Sequence, residues 1–394
     1  MIYESFAPAQ SFFLWATFGI ALVMGALVNK TNFCTMGAIS DWVNMGDTGR
    51  LRAWLFAIAV AVLGVVVLEA NGLVNADAAF PPYRANQLVW AENLLGGLMF
   101  GIGMTLASGC GNKALIRIGG GNLKSIMVFA IIAVIAYYMT NPFPDSDKTL
   151  FTVLFYDWIR PLAVTLQTKQ DLGSVLAGPE KAASTRLIIG GILAVALIAF
   201  AFKSEDFRSS LDNILGGLVV GLAVLAAWYV TSNVMVSADG QNYSLQNFVA
   251  EQWDMFAAAA DVKPADSRPL SPQSFTFINP MGQTFGYALS GFKATAMTFG
   301  LMAVAGVILG SMLWAVVSRS FRIEWFASFQ DFLNHFIGAI LMGFGGVLAM
   351  GCTIGQAVTG VSTLAIGSFI AFIAIVIGSA GTMKYQYWKM MREA

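Results

Sequence analysis

The sequence predicts an all-α polytopic membrane protein made of two inverted repeats, with short re-entrant helices that meet near the bilayer midplane. Two observations carry this expectation: the composition and an internal repeat. Of the 394 residues, 57% are hydrophobic and only 11% are charged, whereas a soluble domain carries about 25% charged residues. So few charges cannot cover the surface of a soluble protein of this length. Lys+Arg and Asp+Glu balance at 22 each, so no overall charge favours nucleic acid as a partner.

Nine apolar runs give the expected membrane elements in chain order, within a single transmembrane transport unit covering 1–394. Seven approach the roughly 20 residues that a helix needs to cross a bilayer. They are 12–29, 52–72, 125–140, 185–202, 212–231, 294–317 and 363–382. Two shorter runs, 93–109 and 335–351, are rich in glycine and each ends next to a cysteine.

Positive charge orients these spans. Cytoplasmic segments of membrane proteins carry an excess of Lys and Arg, and one path through the bilayer places every basic cluster on the same side. The residues that define this side are Lys30, Arg50, Arg52, Lys113, Arg117, Lys124, Lys203, Arg208, Arg319, Arg322, Lys384, Lys389 and Arg392. We therefore expect a bacterial inner-membrane protein with a periplasmic N-terminus, a cytoplasmic C-terminus and two long periplasmic loops, 141–184 and 232–277. The second loop holds Asp261 and Asp266 among its acidic residues.

The internal repeat relates the two glycine-rich runs. The stretch GGLMFGIGMTLASGCG, which begins at 96, resembles GAILMGFGGVLAMGCT, which begins 242 positions later at 338. The same offset carries Phe33 to Phe275 and Gly64 to Gly306. In the path set by the charges, matching spans run in opposite directions. The sequence thus predicts a first inverted repeat at 12–142 and a second at 212–382, with a substrate site near the midplane between them.

Chemistry is expected at the only three cysteines, Cys34, Cys110 and Cys352. Cys34 and Cys352 share the string Cys-Thr-x-Gly, Cys110 and Cys352 share the preceding glycine pattern, and the repeat partner of Cys34 is Thr276. Glycine just before a cysteine predicts that the helix ends there. Broken helices at membrane depth occur where the freed backbone is buried in protein or lines a cavity.

Such breaks expose backbone N–H groups that suit an anion. The residues expected to support anion binding are Thr35, Gly109, Gly111, Asn112, Lys113, Gly351 and Thr353. A thiol is a soft, polarizable group and a weak donor, so it suits the terminal sulfur of a sulfur anion. A thiol in an apolar site is a poor nucleophile, which favours non-covalent binding and a protein that is not an enzyme, although a transient covalent sulfur adduct stays open.

Other polar residues are expected to serve structure. With an odd number of cysteines and a single histidine, His335, the sequence predicts neither a disulfide framework nor a metal site, and no cofactor. Glu69, Glu92 and Asp41 lie near predicted span ends. There we expect solvation at the membrane interface rather than a proton relay.

The motifs Asn32-Phe-Cys34, Ser108-Gly-Cys110-Gly-Asn112 and Met350-Gly-Cys352-Thr-Ile-Gly, together with the segment 274–282, resemble those of the YeeE/YedE sulfur-transport family. The resemblance implies an hourglass-shaped body and uptake of thiosulfate from the periplasm. It also implies that the three cysteines pass the ion along by successive thiol hydrogen bonds. A small cytoplasmic sulfur-carrier (TusA-like) or rhodanese-like protein is the implied partner.

Three alternatives stay open at the level of sequence. In the first alternative, the transported species is a selenium compound or another oxyanion such as sulfate or sulfite. In the second, the protein is a membrane thiol oxidoreductase, although close Cys-x-x-Cys pairs are absent from the sequence. In the third, it is a structural membrane protein, which would need no polar motifs at the midplane. Few intramembrane acids are available for proton coupling, which favours transport drawn by consumption of the ion inside the cell.

Overall fold

The protein is mainly helical in the computed structural model, which describes residues 1–258, 263–264 and 269–393. The helices are α1 Phe6–Thr31, α2 Thr35–Ser40, α3 Gly49–Ala70, α4 Trp90–Leu106, α5 Gly111–Gly119, α6 Leu123–Thr140, α7 Asp157–Ile159, α8 Leu172–Phe202, α9 Glu205–Ser209, α10 Leu211–Asn233, α11 Leu245–Asn247, α12 Trp253–Phe256, α13 Ile278–Leu289, α14 Phe299–Val317, α15 Phe329–Leu348 and α16 Ile366–Glu393. The π-helical segments are Asp41–Met45, Thr152–Tyr156, Phe248–Gln252 and Ile354–Gly360. The 3₁₀ turns are Ala76–Ala78, Arg160–Leu162 and Ala294–Ala296. The strands are β1 Ile2–Tyr3, β2 Gln87–Leu88, β3 Val164–Thr165, β4 Met235–Ala238 and β5 Gln241–Ser244.

Nine helical segments of the described residues are long and apolar enough to cross a bilayer, which confirms the predicted all-α polytopic membrane fold. Each of the nine predicted runs falls on one of them. Helix α8 differs most, because it begins at Leu172 inside the predicted loop 141–184. The side chain of Asp171 accepts a hydrogen bond from Ser174 N and caps the helix early, and Gly178, at φ 74°, then kinks it.

The second predicted loop, 232–277, also contains regular structure. Strands β4 and β5 form an antiparallel hairpin, and β1 adds to it in parallel, with Ile2 opposite Met235. Asp261 and Asp266 lie outside the described residues.

Hydrogen bonds between loops show which helix ends lie on the same face of the protein. On one side, Met235 N donates to Met1 O, and Leu172 N donates to Leu364 O. We call the side with residues 1–3, 71–89 and 361–365 the N-terminal face. On the opposite side, Leu123 N donates to Glu324 O. This side is the C-terminal face.

The helix–helix contacts in the first part of the chain are matched by equivalent contacts in the second part. At the offset of 242, α3, α4 and α6 correspond to α14, α15 and α16, which leaves α1 and α10 as the remaining pair. The contact of α1 with α14 is matched by that of α10 with α3, the contact of α4 with α16 is matched by that of α6 with α15, and α4 packs on its own counterpart α15. Helix α8 packs on α3 outside this scheme. We propose that the halves are inverted repeats, which these paired contacts support.

Glycines let the paired helices approach backbone to backbone. Where α1 crosses α14, a Cβ on Gly310 would stand 2.7 Å from the carbonyl carbon of Leu22, and one on Gly25 would stand 2.8 Å from Val307 Cα. Both distances are shorter than real contacts allow. The α1–α14 crossing therefore depends on the missing side chains.

We expect Gly310→Ala to lower the melting temperature of the detergent-purified protein, because the helices must separate to admit a methyl group, at a cost of about 1–3 kcal/mol. Gly19→Ala is the matched control, since a Cβ there meets nothing within 4 Å. Equal melting temperatures for the two variants would contradict the role given to this crossing.

Candidate functional site

Each of the three cysteines follows a break in the helical backbone. Asn32, Ser108 and Met350 adopt left-handed conformations, with φ of 54°, 56° and 57°, and each lies two positions before a cysteine. The predicted helix ends are therefore present. Before Cys110 and Cys352, however, the left-handed residue lies one position before the glycine and not at the glycine itself, and before Cys34 the intervening residue is Phe33.

The breaks before Cys110 and Cys352 have the same geometry. Gly109 N donates to Met104 O five residues back, and Gly351 N donates to Gly346 O in the same way, at 2.8 Å in both. This is the Schellman pattern, in which backbone donors satisfy the last carbonyls of a helix. It ends α4 and α15 at equivalent positions. The chain then restarts as α5 after Cys110 and as the π-helical segment after Cys352.

The shared Cys-Thr-x-Gly string acts as a helix cap through sulfur. Gly37 N donates to Cys34 Sγ at 3.4 Å, and Gly355 N donates to Cys352 Sγ at 3.5 Å. Each bond occupies a sulfur lone pair with a backbone donor and leaves the S–H proton free. All three cysteines are buried and unpaired.

Cys110 lies between the other two. Its sulfur is near enough to those of Cys34 and Cys352 for electrostatic interaction, and it also faces the hydroxyl of Thr353. Cys352 in turn faces the hydroxyl of Thr276. The structure therefore brings together all three predicted cysteines. We call Cys352, Cys110 and Cys34 the cysteine line.

The cysteine line runs from the N-terminal face toward the C-terminal face. Tyr83, from the N-terminal-face segment 71–89, donates its hydroxyl to Gly355 O at 3.0 Å, in the turn that follows Cys352. Cys34 lies between α1 and α3, at their C-terminal-face ends. The order is thus Cys352, Cys110, Cys34 from the N-terminal to the C-terminal face, an order that the sequence alone left open.

Basic side chains gather at the Cys34 end of the line. Lys113 Nζ donates to Asn32 Oδ1 at 2.8 Å, and the Lys113 ammonium interacts with Cys34, Cys110, Arg117 and Arg50. The predicted supporting residue Lys113 thus lies beside two of the cysteines. It makes the C-terminal-face end of the line attractive to an anion.

Polar recesses lie at the other end. One recess of about 320 Å³ is lined by Tyr137, Asn141 and Gln283 among others. Gln283 also lines a smaller recess that reaches Thr276. Neutral polar groups therefore run from the N-terminal face toward Cys352.

Buried polar atoms without a partner cluster around the cysteines. Among the described residues, side-chain atoms of Thr35, Asn112, Thr276, Thr353 and Gln356 are buried and make no hydrogen bond. Burying an unpartnered polar group costs about 1–3 kcal/mol. A row of such groups beside three thiols provides partners for a polar ligand in passage.

The predicted glycines have identifiable neighbours. A Cβ on Gly109 would crowd the side chain of Lys113, one on Gly111 would stand 2.9 Å from Ile278, and one on Gly351 would stand 3.3 Å from Thr276 Oγ1. Their small size therefore allows close packing along the line.

Sequence reasoning missed Tyr83 and Gln356. Gln356 donates to Ala349 O and was detectable as the residue that follows the second Cys-Thr-x-Gly string, whereas nothing in the sequence marked Tyr83. His335 lies in α15, 3.0 Å from Asp331, and pairs along its own helix.

Glu69, expected to be solvated, belongs instead to a buried ion cluster on the N-terminal face. Arg84 bonds to Glu69 at 2.9 Å, and Arg186 contacts Glu69 at 3.0 Å and Asp171 at 2.7 Å. Arg84 Nε also donates to Thr363 O at 2.8 Å. The cluster therefore joins α3 and α8 to the segment that follows the π-helix of Cys352.

Glu92 and Asp41, also expected to be solvated, are ion-paired too. Glu92 lies 3.3 Å from Arg160, and Asp41 lies 3.3 Å from Arg50. Each carboxylate is buried next to its cation, because a carboxylate at a crowded helix end has a positive side chain within reach before it reaches water.

Acid should destabilise the ion cluster. Burial alone would raise the pKa of Asp171, but hydrogen bonds from Arg186 and Ser174 outweigh it and hold the pKa at about 2. Since this is below the unfolded value near 3.9, the carboxylate stabilises the fold above about pH 4 and loses that contribution as the pH falls toward 2. We expect the melting temperature to fall over this range, and to fall less in Asp171→Asn. Parallel curves would contradict the assignment.

Known proteins are similar in sequence to this chain over nearly its whole length. The model of a family described as sulphur transport matches residues 30–381. A thiosulfate transporter, TsuA, from Spirochaeta thermophila is 24% identical over 377 residues, covering 93% of this chain and 97% of that protein. The TsuA protein of Escherichia coli strain K12, also named a thiosulfate transporter, is 24% identical over 369 residues, 90% of each chain.

Proposed function

Because the chain belongs to the sulphur transport family, we propose that this multi-pass membrane protein carries thiosulfate, or a closely related sulfur anion, along a relay of three buried cysteines. The observation that carries the proposal is the cysteine line, with unpartnered hydroxyl and amide groups beside it and Lys113 at one end. Two relatives named thiosulfate transporters support the choice of substrate.

The proposed relay is non-covalent. The backbone bonds to Cys34 and Cys352 use sulfur lone pairs, so the thiol proton is available for donation to the anion. As the anion moves from Cys352 to Cys110 to Cys34, each thiol donates in turn and no sulfur bond forms or breaks. The protein on this view is a transporter and not an enzyme.

We also propose that the N-terminal face is periplasmic in a bacterial inner membrane. The positive-inside rule supports this, since Arg50, Lys113, Arg117 and Arg322 lie toward the C-terminal face. The anion then enters through the polar recesses and leaves beside Lys113. A cytoplasmic sulfur-carrier (TusA-like) or rhodanese-like protein that consumes the ion would keep the transport moving inward.

Uptake of radiolabelled thiosulfate by a bacterium that lacks its own thiosulfate route tests the proposal. We expect the wild-type protein to restore uptake and growth on thiosulfate as sole sulfur source. Unlabelled selenite, sulfate and sulfite, added separately, should compete weakly. No uptake despite normal amounts in the membrane would overturn the proposal, and strong competition by one of these ions would transfer it to that substrate.

A further inference from the structure

Thr276 occupies the position in the second half that Cys34 occupies in the first. It lies 242 residues after Cys34 and just before α13, as Cys34 lies just before α2. In the first half Cys34 interacts with Cys110. In the second, Thr276 faces Cys352. The two halves thus present equivalent pairs, a thiol with a thiol and a hydroxyl with a thiol.

The backbone around Thr276 is fixed on both sides. Phe275 and Phe277 stack with ring centroids 6.2 Å apart, Thr359 donates its hydroxyl to Phe275 O at 2.7 Å, and Ser274 donates to Val224 O at 2.8 Å. The neighbouring hydroxyls thus have backbone partners. That of Thr276, in a residue only 6% exposed, has none among the described residues.

Two glycines let the backbone pack closely against this hydroxyl. A Cβ on Gly355 would collide with Thr276 Oγ1, and one on Gly351 would stand 3.3 Å from it. Thr276 also lines the recess that contains the amide side chains of Asn279 and Gln283. Its hydroxyl therefore lies where the polar recess meets the cysteine line, with a free donor.

We propose that Thr276 is a fourth residue that contacts the substrate, after the three cysteines, and call it a fourth station. It lies at the N-terminal-face end of the cysteine line and selects anions that carry oxygen at one end and sulfur at the other. Its hydroxyl donates to a sulfonate-type oxygen while the Cys352 thiol meets the terminal sulfur. At the opposite end of the line, Cys34 provides a thiol in the equivalent position. This inference rests on the proposed function and names a residue that recognises its substrate.

The first test is the initial rate of thiosulfate uptake. We expect Thr276→Val to reduce the rate about tenfold, mainly by raising KM, because the oxygen loses its donor. Thr276→Ser should keep most of the rate, since it keeps the hydroxyl. Thr17→Val is the matched control: Thr17 is buried in α1 and its hydroxyl bonds within that helix. Its rate should equal that of wild type.

The second test does not depend on transport by the variant. Thr276→Cys places a thiol at the end of the recess, and we expect a small membrane-impermeant thiol reagent to label it from the N-terminal-face side. Thiosulfate should slow this labelling, whereas sulfate at the same concentration should slow it less.

The outcomes separate the two proposals. If wild type takes up thiosulfate and Thr276→Val is equally active, Thr276 is not a station and the relay of three cysteines stands. If Thr276→Val fails to reach the membrane, the labelling decides: absence of protection by thiosulfate overturns the inference. If wild type itself takes up no thiosulfate, the proposed function is wrong.

Discussion

Replacing Cys110 by alanine is expected to abolish thiosulfate uptake, and replacing it by serine to leave a measurable fraction. Cys110 is the middle member of the cysteine line and interacts with both other cysteines. With alanine, the thiol donor and the polarizable sulfur between Cys352 and Cys34 are lost. The anion would then cross that step in a buried site without its middle thiol partner, which is costly.

The serine variant distinguishes the effect of hydrogen-bond donation from the effect of a polarizable sulfur atom. Its hydroxyl donates as a thiol does but is smaller and less polarizable, so part of the uptake should remain. The measurement is the initial rate of radiolabelled thiosulfate uptake, normalised to protein in the membrane, for wild type, both Cys110 variants, Cys34→Ala and Cys352→Ala. Equal rates in the alanine and serine variants of Cys110 would contradict the relay, as would a wild-type rate in the alanine variant.

Replacing Arg186 by methionine is expected to lower the free energy of unfolding by about 3–5 kcal/mol, the usual cost of breaking a buried ion pair from one side. Arg186 is bonded to Asp171 at 2.7 Å and to Glu69 at 3.0 Å. Methionine fills much of the volume but leaves these two carboxylates with less positive charge nearby. The denaturation midpoint of the purified protein measures the effect.

Two further variants sharpen the test. Arg208→Met, at an exposed arginine whose side chain bonds only to Phe202 O among the described residues, should leave the midpoint nearly unchanged. The double variant Arg186→Met/Asp171→Leu should recover part of the lost stability, because the most buried carboxylate is also removed. A double variant as unstable as the sum of both single changes would show that the pair is not coupled.

The membrane fold could be predicted because its signals are local. An apolar run of sufficient length reports a span by itself, and all nine predicted runs lie on apolar helices. The breaks at Cys110 and Cys352 were visible for the same reason, since glycine and cysteine recur in one pattern. The start of α8 at Leu172 was missed because a single capping residue, Asp171, decided it.

The ion cluster and Tyr83 could not be predicted, because their contacts join distant segments. Glu69, Arg84 and Arg186 meet across more than a hundred residues of chain, and each alone resembles an ordinary charge at a helix end. Tyr83 bonds to Gly355, which lies 272 residues further along the chain. Only folding brings these side chains to one place, and no local pattern in the sequence indicates their contacts.

The distribution of charge along the cysteine line has an electrical consequence. Between Cys352 and Cys110 the line is bordered by thiols, hydroxyls and backbone groups, whereas the Lys113 ammonium lies beside Cys110 and Cys34. A dianion that moves inward without a counter-ion works against a negative-inside membrane potential by about 4.6 kcal/mol per 100 mV. Uptake should therefore speed up when the membrane is depolarised, and net entry requires that the ion is consumed inside the cell.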